Sequence, residues 1–179
     1  KRRGSVVVEF KTWQKLNLMQ LTGSILNEAK SDKPDEICID SIGLGSGVAD
    51  RLREVMGELR LDITVRDVNV SEASAMNPEA AKLRDDLWIQ VKDWLDKRAC
   101  KLPKMDDLRQ ELVAPTYTFT SSGKKKVESK DDLKKRGMRS PDLADALCLT
   151  FASIASRVGG RGAKWKKGQA LKRNIKGIV

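Results

Sequence analysis

A chain of 179 residues, 40% hydrophobic and 34% charged, is long enough for one ordinary domain with a core and too apolar for wholesale disorder. It contains no histidine, which removes imidazole zinc sites and every Ser-His or Cys-His catalytic pairing, so any enzyme chemistry must rest on carboxylates. The formal charge of +10 is local: residues 157–179 hold Arg157, Arg161, Lys164, Lys166, Lys167, Lys172, Arg173 and Lys176 and no acid, a pattern that suits a polyanion or an acidic protein surface.

Ser5 to Trp13 is β-branched and partly alternating and predicts a strand. It follows Lys1-Arg2-Arg3-Gly4, which reads as a hairpin turn whose first strand is absent, so the chain is expected to start in the middle of a sheet. Asn17 followed by Gln20 predicts a helix cap, and Leu18, Leu21, Ile25 and Ala29 recur at helical spacing over 18–30. After the break at Pro34, Glu36–Asp40 predicts a short strand that opens into the turn Ser41-Ile42-Gly43-Leu44-Gly45-Ser46-Gly47. A second helix follows, marked by Val48, Leu52, Val55, Met56 and Leu59.

Ile63, Val65, Val68 and Val70 suggest another strand. Asn77-Pro78 predicts the start of a longer helix with Leu83, Leu87, Val91, Trp94 and Leu95 on one face. The order to this point is βαβαβα. Beyond Pro103 the pattern gives a short helix near Met105–Leu112, then a hairpin of Thr116–Thr120 and Lys126–Ser129 around Ser121–Lys125. A short helix near Asp131–Arg136 leads to one from Pro141 to about Arg157. Gly159-Gly160 ends the periodicity, so residues 1–158 are expected to form the domain and 159–179 a flexible basic tail with Trp165 as an anchor.

Cys38, Cys100 and Cys148 are widely spaced in apolar contexts and read as buried thiols of a reducing compartment. No apolar run approaches the roughly 20 residues of a membrane span and no signal peptide is seen, so a soluble intracellular protein is expected.

Asp142 and Asp145 stand three apart at the start of an apolar helix and therefore share a face, a good place to hold a divalent metal. Asp40, at a strand end, is a carboxylate that could meet them. The plain alternative is capping: Ser140 as N-cap, Pro141 at the first position, and acids favoured by the helix dipole. That accounts for Asp142 better than for Asp145, which lies a turn further in between Ala144 and Ala146. The glycine turn fits neither Gly-x-Gly-x-x-Gly nor the P-loop pattern, and its glycines serve a sharp turn that leaves Asp40 uncrowded. Lys124, Lys125 and Lys126 are either a solvated hairpin tip or a phosphate grip.

Three segments taken together, Ile39-Asp40-Ser41-Ile42-Gly43-Leu44-Gly45-Ser46-Gly47-Val48, Val127-Glu128-Ser129-Lys130-Asp131-Asp132-Leu133-Lys134-Lys135-Arg136 and Ser140-Pro141-Asp142-Leu143-Ala144-Asp145-Ala146-Leu147, resemble the nuclease domain of the large terminase subunit of tailed bacteriophages. The resemblance covers roughly residues 5 to 157. It implies an α/β fold of the ribonuclease H-like superfamily, a mixed sheet flanked by helices with an added β-hairpin, and a domain that cuts concatemeric double-stranded DNA during packaging. It implies two divalent metals, Mg²⁺ or Mn²⁺, about 3.5–4 Å apart. Asp40 would be the shared ligand, Asp145 the second, Asp142 a neighbouring or water-mediated one, and Lys130 would orient a phosphate or the attacking water.

Lys124, Lys125, Lys126, Lys134, Lys135, Arg136 and Arg139 would meet the DNA. The implied partners are the portal protein, the small terminase subunit and an ATPase motor of the same polypeptide, for which this chain has no P-loop; the implied place is the host cytoplasm, transiently at the procapsid portal. In such domains a further aspartate sits on the first strand, and no Asp precedes Asp32 here. A junction resolvase or transposase of the same fold would use similar acids. A non-enzymatic basic adaptor would need none of them.

Overall fold

The computed structural model describes residues 1–75 and 77–153. Two short antiparallel strands, β1 (Arg2–Arg3) and β2 (Val6–Val7), precede helix α1 (Leu18–Asp32), strand β3 (Glu36–Asp40), helix α2 (Gly45–Glu58) and strand β4 (Thr64–Val68). Then come α3 (Leu83–Asp96), α4 (Asp106–Val113), the hairpin β5 (Tyr117–Phe119) and β6 (Lys125–Val127), α5 (Lys130–Lys135) and α6 (Asp142–Leu149). Among the described residues the strands form three pairs, β1 with β2 and β5 with β6 antiparallel, β3 with β4 parallel. No helix of the described residues is long and apolar enough to cross a membrane.

The β3–β4 pair separates two apolar layers. On one side α1 and α2 bury Ala29, Val48, Leu52 and Met56 against Ile37, Ile39 and Val65. On the other, α3 and α6 bury Leu87, Trp88, Val91, Ala144, Leu147 and Cys148 with Val68, and Cys38 packs against them. The alternation Ile37, Cys38, Ile39 thus feeds both layers, as a strand covered on two faces must. Truncating Leu52 or Leu147, both fully buried, to Ala would cost about 2–5 kcal/mol each.

Asn17 caps α1 as the sequence predicts: its Oδ1 accepts from the Gln20 N–H at 2.9 Å and its own N–H donates to Gln20 Oε1 at 3.0 Å. Elsewhere the boundaries move. The strand expected over Ser5–Trp13 is only Val6–Val7, because its partner β1 is two residues long and a ladder lasts no longer than its partner. The first arm of that hairpin, read as absent, is β1. The glycine turn is shorter than expected, since Gly45 and Gly47 already belong to α2.

The helix expected from Asn77-Pro78 begins at Leu83 instead. Lys125 N–H donates to the Glu79 carbonyl and Ala81 N–H to the Lys125 carbonyl at 3.0 Å, so this backbone pairs with β6 and is not available to a helix. Cys148 is buried, but Cys38 and Cys100 are only half-buried; none forms a disulfide. The last helix, expected from Pro141 to about Arg157, ends at Leu149, where the N–H groups of Thr150, Phe151 and Ala152 tighten onto the carbonyls of Leu147, Cys148 and Leu149; the tail 159–179 with Trp165 lies outside the described residues.

Candidate active site

Period 2 along β3 decides where Asp40 points. Cys38 faces the α3/α6 layer, so Asp40 does too, at the carboxyl end of the strand. The loop beyond it is drawn in tightly. Ser41 N–H donates to the Val68 carbonyl at 3.0 Å and Ile42 N–H to Asp40 Oδ1 at 3.1 Å. Gly43 turns the chain with φ of 68°, a left-handed conformation that favours glycine.

From α6, Asp145, Cys148 and Leu149 recur at i, i+3 and i+4 and line one cleft together with Asp40, Val70, Arg84 and Leu87 of α3, and Lys130 of α5. Asp145 is held from both sides. Its Oδ1 accepts from the Trp88 indole Nε1 at 2.9 Å and lies 3.5 Å from Arg84 Nη2; its Oδ2 lies 3.0 Å from Lys130 Nζ. Lys130 also reaches Asp142 Oδ1 at 3.2 Å. Burial works against the Lys130 ammonium, but the Asp145 charge and the bonds to Asp145 and Asp142 raise its pKa above the ordinary lysine value.

The two helix acids sit differently. The Asp145 side chain is 20% exposed and lines the cleft, whereas that of Asp142 is 74% exposed and does not. Asp142 accepts from Ser140 Oγ at 2.7 Å. Burial opposes its charge, yet Ser140 and Lys130 hold its carboxyl below the usual range. Ser140 is therefore not the N-cap of α6. Pro141 occupies that position, and Glu111, from α4, supplies the missing acceptor by taking the Ala144 N–H at 2.9 Å. Burial, with Asp145 nearby, pushes the Cys148 thiol well above its ordinary value, which disfavours its thiolate.

Two carboxylates on one cleft are hard oxygen donors of the kind that hold Mg²⁺ or Mn²⁺ through one or two acids, with waters or substrate phosphates completing the shell. The residues fit such an ion. Among the described residues no group of three or more His, Cys, Asp or Glu side chains converges as a ready-made cage.

The basic residues divide into two sets. Lys125 pairs with Glu79 at 2.9 Å, Lys135 with Asp132 at 2.7 Å, and Arg136 with Glu128. Lys124, Lys126, Lys134 and Arg139 hold no salt bridge among the described residues. Sequence reasoning missed Arg84, Trp88 and Glu111. The signal for the first two was faint: Arg and Trp at i and i+4 beside an apolar face, with the Arg84 Cζ 5.7 Å from the Trp88 ring centroid.

No protein-family model matches the sequence, and no curated protein matches it. Among solved structures the chain is similar to the nuclease domain of the large terminase subunit gp2 of bacterial virus Sf6, with a TM-score of 0.68 at 23% identity, covering 83% of this chain and 79% of that one. A mutant of that domain with manganese gives a TM-score of 0.69 at 22% identity, covering 83% and 80%. A mutant of gp2c of the large terminase subunit from bacteriophage Sf6 with calcium gives 0.69 at 22% identity, covering 83% and 79%. The resemblance drawn from the sequence is thus matched in three dimensions, and the fold is an α/β domain of the ribonuclease H-like type.

Proposed function

We propose that the chain is the metal-dependent endodeoxyribonuclease domain of a viral DNA-packaging terminase, cutting concatemeric double-stranded DNA at the beginning and end of genome packaging. The observation that carries this reading is the meeting of Asp40 from a strand end and Asp145 from a distant helix in one cleft, beside the Lys130 ammonium. The fold likeness to a terminase nuclease domain supports it.

Mg²⁺ or Mn²⁺ would be held by Asp40 and Asp145, and a second ion of a two-metal arrangement would draw on Asp142, waters and DNA phosphate oxygens. Such ions, when bound, supply an activated water and positive charge against the phosphate and the leaving oxygen. The chain's own groups prepare the place. Ile42 N–H fixes the Asp40 carboxylate, Val70, Leu87 and Leu149 form an apolar wall, and Lys130 carries a charge that a phosphate can share. Lys124, Lys126, Lys134 and Arg139 would follow the DNA backbone, with the paired Lys125, Lys135 and Arg136 contributing less. In the cell the domain would work in the host cytoplasm at the procapsid portal, alongside its ATPase motor and the small terminase subunit.

The test is cleavage of supercoiled plasmid by this chain with Mn²⁺, beside Asp40→Asn, Asp145→Asn and a chelator. Nicking that needs the metal and both acids supports the reading. Cleavage indifferent to both substitutions, or binding of DNA without any metal-dependent cleavage, overturns it for this chain.

A further inference from the structure

We propose that Trp88 is the positioning residue of the cleft: its indole N–H holds Asp145 Oδ1 against the protein wall, so that Oδ2 is the oxygen offered to a divalent cation. The inference rests on the metal-dependent reading above and adds a residue that touches neither metal nor DNA.

An indole nitrogen can only donate, and a buried one needs an acceptor. Trp88 is 8% exposed, and its ring is locked in the α3/α6 core with Leu87 and Val91. The acceptor it finds is Asp145 Oδ1, at 2.9 Å. Arg84 supports the same oxygen more loosely, Nη2 standing 3.5 Å away while Nη1 donates to the Glu128 carbonyl at 3.0 Å. The two carboxylate oxygens of Asp145 are therefore inequivalent, one facing a fixed donor and the other Lys130 and the cleft. The terminal torsion of an aspartate is broad and roughly two-fold. With the donor removed the carboxylate would turn, and a cation would have to restrain it on binding. Loss of such an outer partner typically weakens metal affinity about 10- to 100-fold.

The experiment is calorimetric titration of Mn²⁺ into the intact metal-free chain as wild type, Trp88→Phe, Asp145→Asn and Val91→Ala. Val91 is buried three residues along the same helix and does not line the cleft, so Val91→Ala reports loss of packing alone. Expected is Asp145-dependent binding in the wild type and an affinity lower by roughly 10- to 100-fold in Trp88→Phe. Plasmid cleavage by that variant should recover at saturating Mn²⁺, and Val91→Ala should bind close to the wild-type affinity. Should Trp88→Phe fail to fold, benzothienylalanine at position 88 keeps the ring shape without the N–H, and the same loss is expected. Wild-type affinity in either Trp88 variant, or an equal loss in Val91→Ala, overturns the positioning role while the metal-dependent reading stands. Absence of Asp145-dependent Mn²⁺ binding in the wild type overturns both.

Discussion

Gly45 closes on Asp40 so tightly that a β-carbon added to it would stand 1.7 Å from the Asp40 carbonyl oxygen and 2.8 Å from the carbonyl carbon. Both obstacles are backbone, so no side chain can yield. Gly45→Ala is expected to lower stability by at least about 1–3 kcal/mol and to cut metal-dependent cleavage more than its stability loss explains, because the displaced atoms carry the Asp40 side chain. Gly23→Ala in α1, where the β-carbon meets nothing within 4 Å, should stabilise by roughly 1 kcal/mol. Urea unfolding alongside the plasmid assay checks both.

The pairing of Lys130 with Asp142 should not titrate in the working range. Lys130 has its pKa raised above 10.5, so what its charge contributes is present in full below the unfolded value and is lost as pH climbs through the higher folded one. Asp142 is lowered below 3.8, so its share is present above that value and lost as pH falls through the lower folded one. The stability difference between wild type and Lys130→Ala is expected to be constant from about pH 5 to 9 and to narrow outside that window. A pH series of urea midpoints would show it.

Glu111 is expected to behave in the opposite sense. Burial raises its carboxyl above 4.5 against the pull of the Ala144 and Leu143 N–H groups. The folded state then holds this proton to higher pH than the unfolded chain, and stability should fall as pH rises from 4.5 through the raised value. Glu111→Gln keeps an oxygen for the Ala144 N–H and removes the titration, so it should flatten that fall and match or exceed wild type at pH 7. Glu111→Ala strands the N–H and should cost about 1–3 kcal/mol.

Replacing Lys124, Lys126, Lys134 or Arg139 by Ala is expected to weaken duplex binding evenly across sequences and to lower the slope of log affinity against log salt by about 1 per contact. Lys125→Ala and Lys135→Ala should move the slope less, since Glu79 and Asp132 already neutralise those charges. Fluorescence anisotropy with labelled duplex over a KCl series separates the two sets.

What could be read in the sequence was whatever local chemistry decides. The strand Glu36–Asp40 lies between Pro34 and the glycine loop, and the Asn17–Gln20 cap needs only its own turn. Helix α3 could not be placed from Asn77-Pro78, because the backbone of Glu79 and Ala81 is engaged by Lys125, distant in sequence. The shared face of Asp142 and Asp145 was legible from their spacing. Their different exposure was not, since it depends on where α3 and α5 bring Trp88, Arg84 and Lys130. The cap of α6 was hidden for the same reason: its acceptor comes from α4.

The β3–β4 pair lies between two cores, and the two cleft acids come from different elements that meet over the α3/α6 layer. Asp40 extends from the strand that α1 and α2 hold, while Asp145 belongs to the helix that packs on α3. A cation gripped by both would act as a rivet across that seam. Its binding would then be felt as resistance of strand and helix to parting, so that saturating Mn²⁺ raises the unfolding midpoint of the domain.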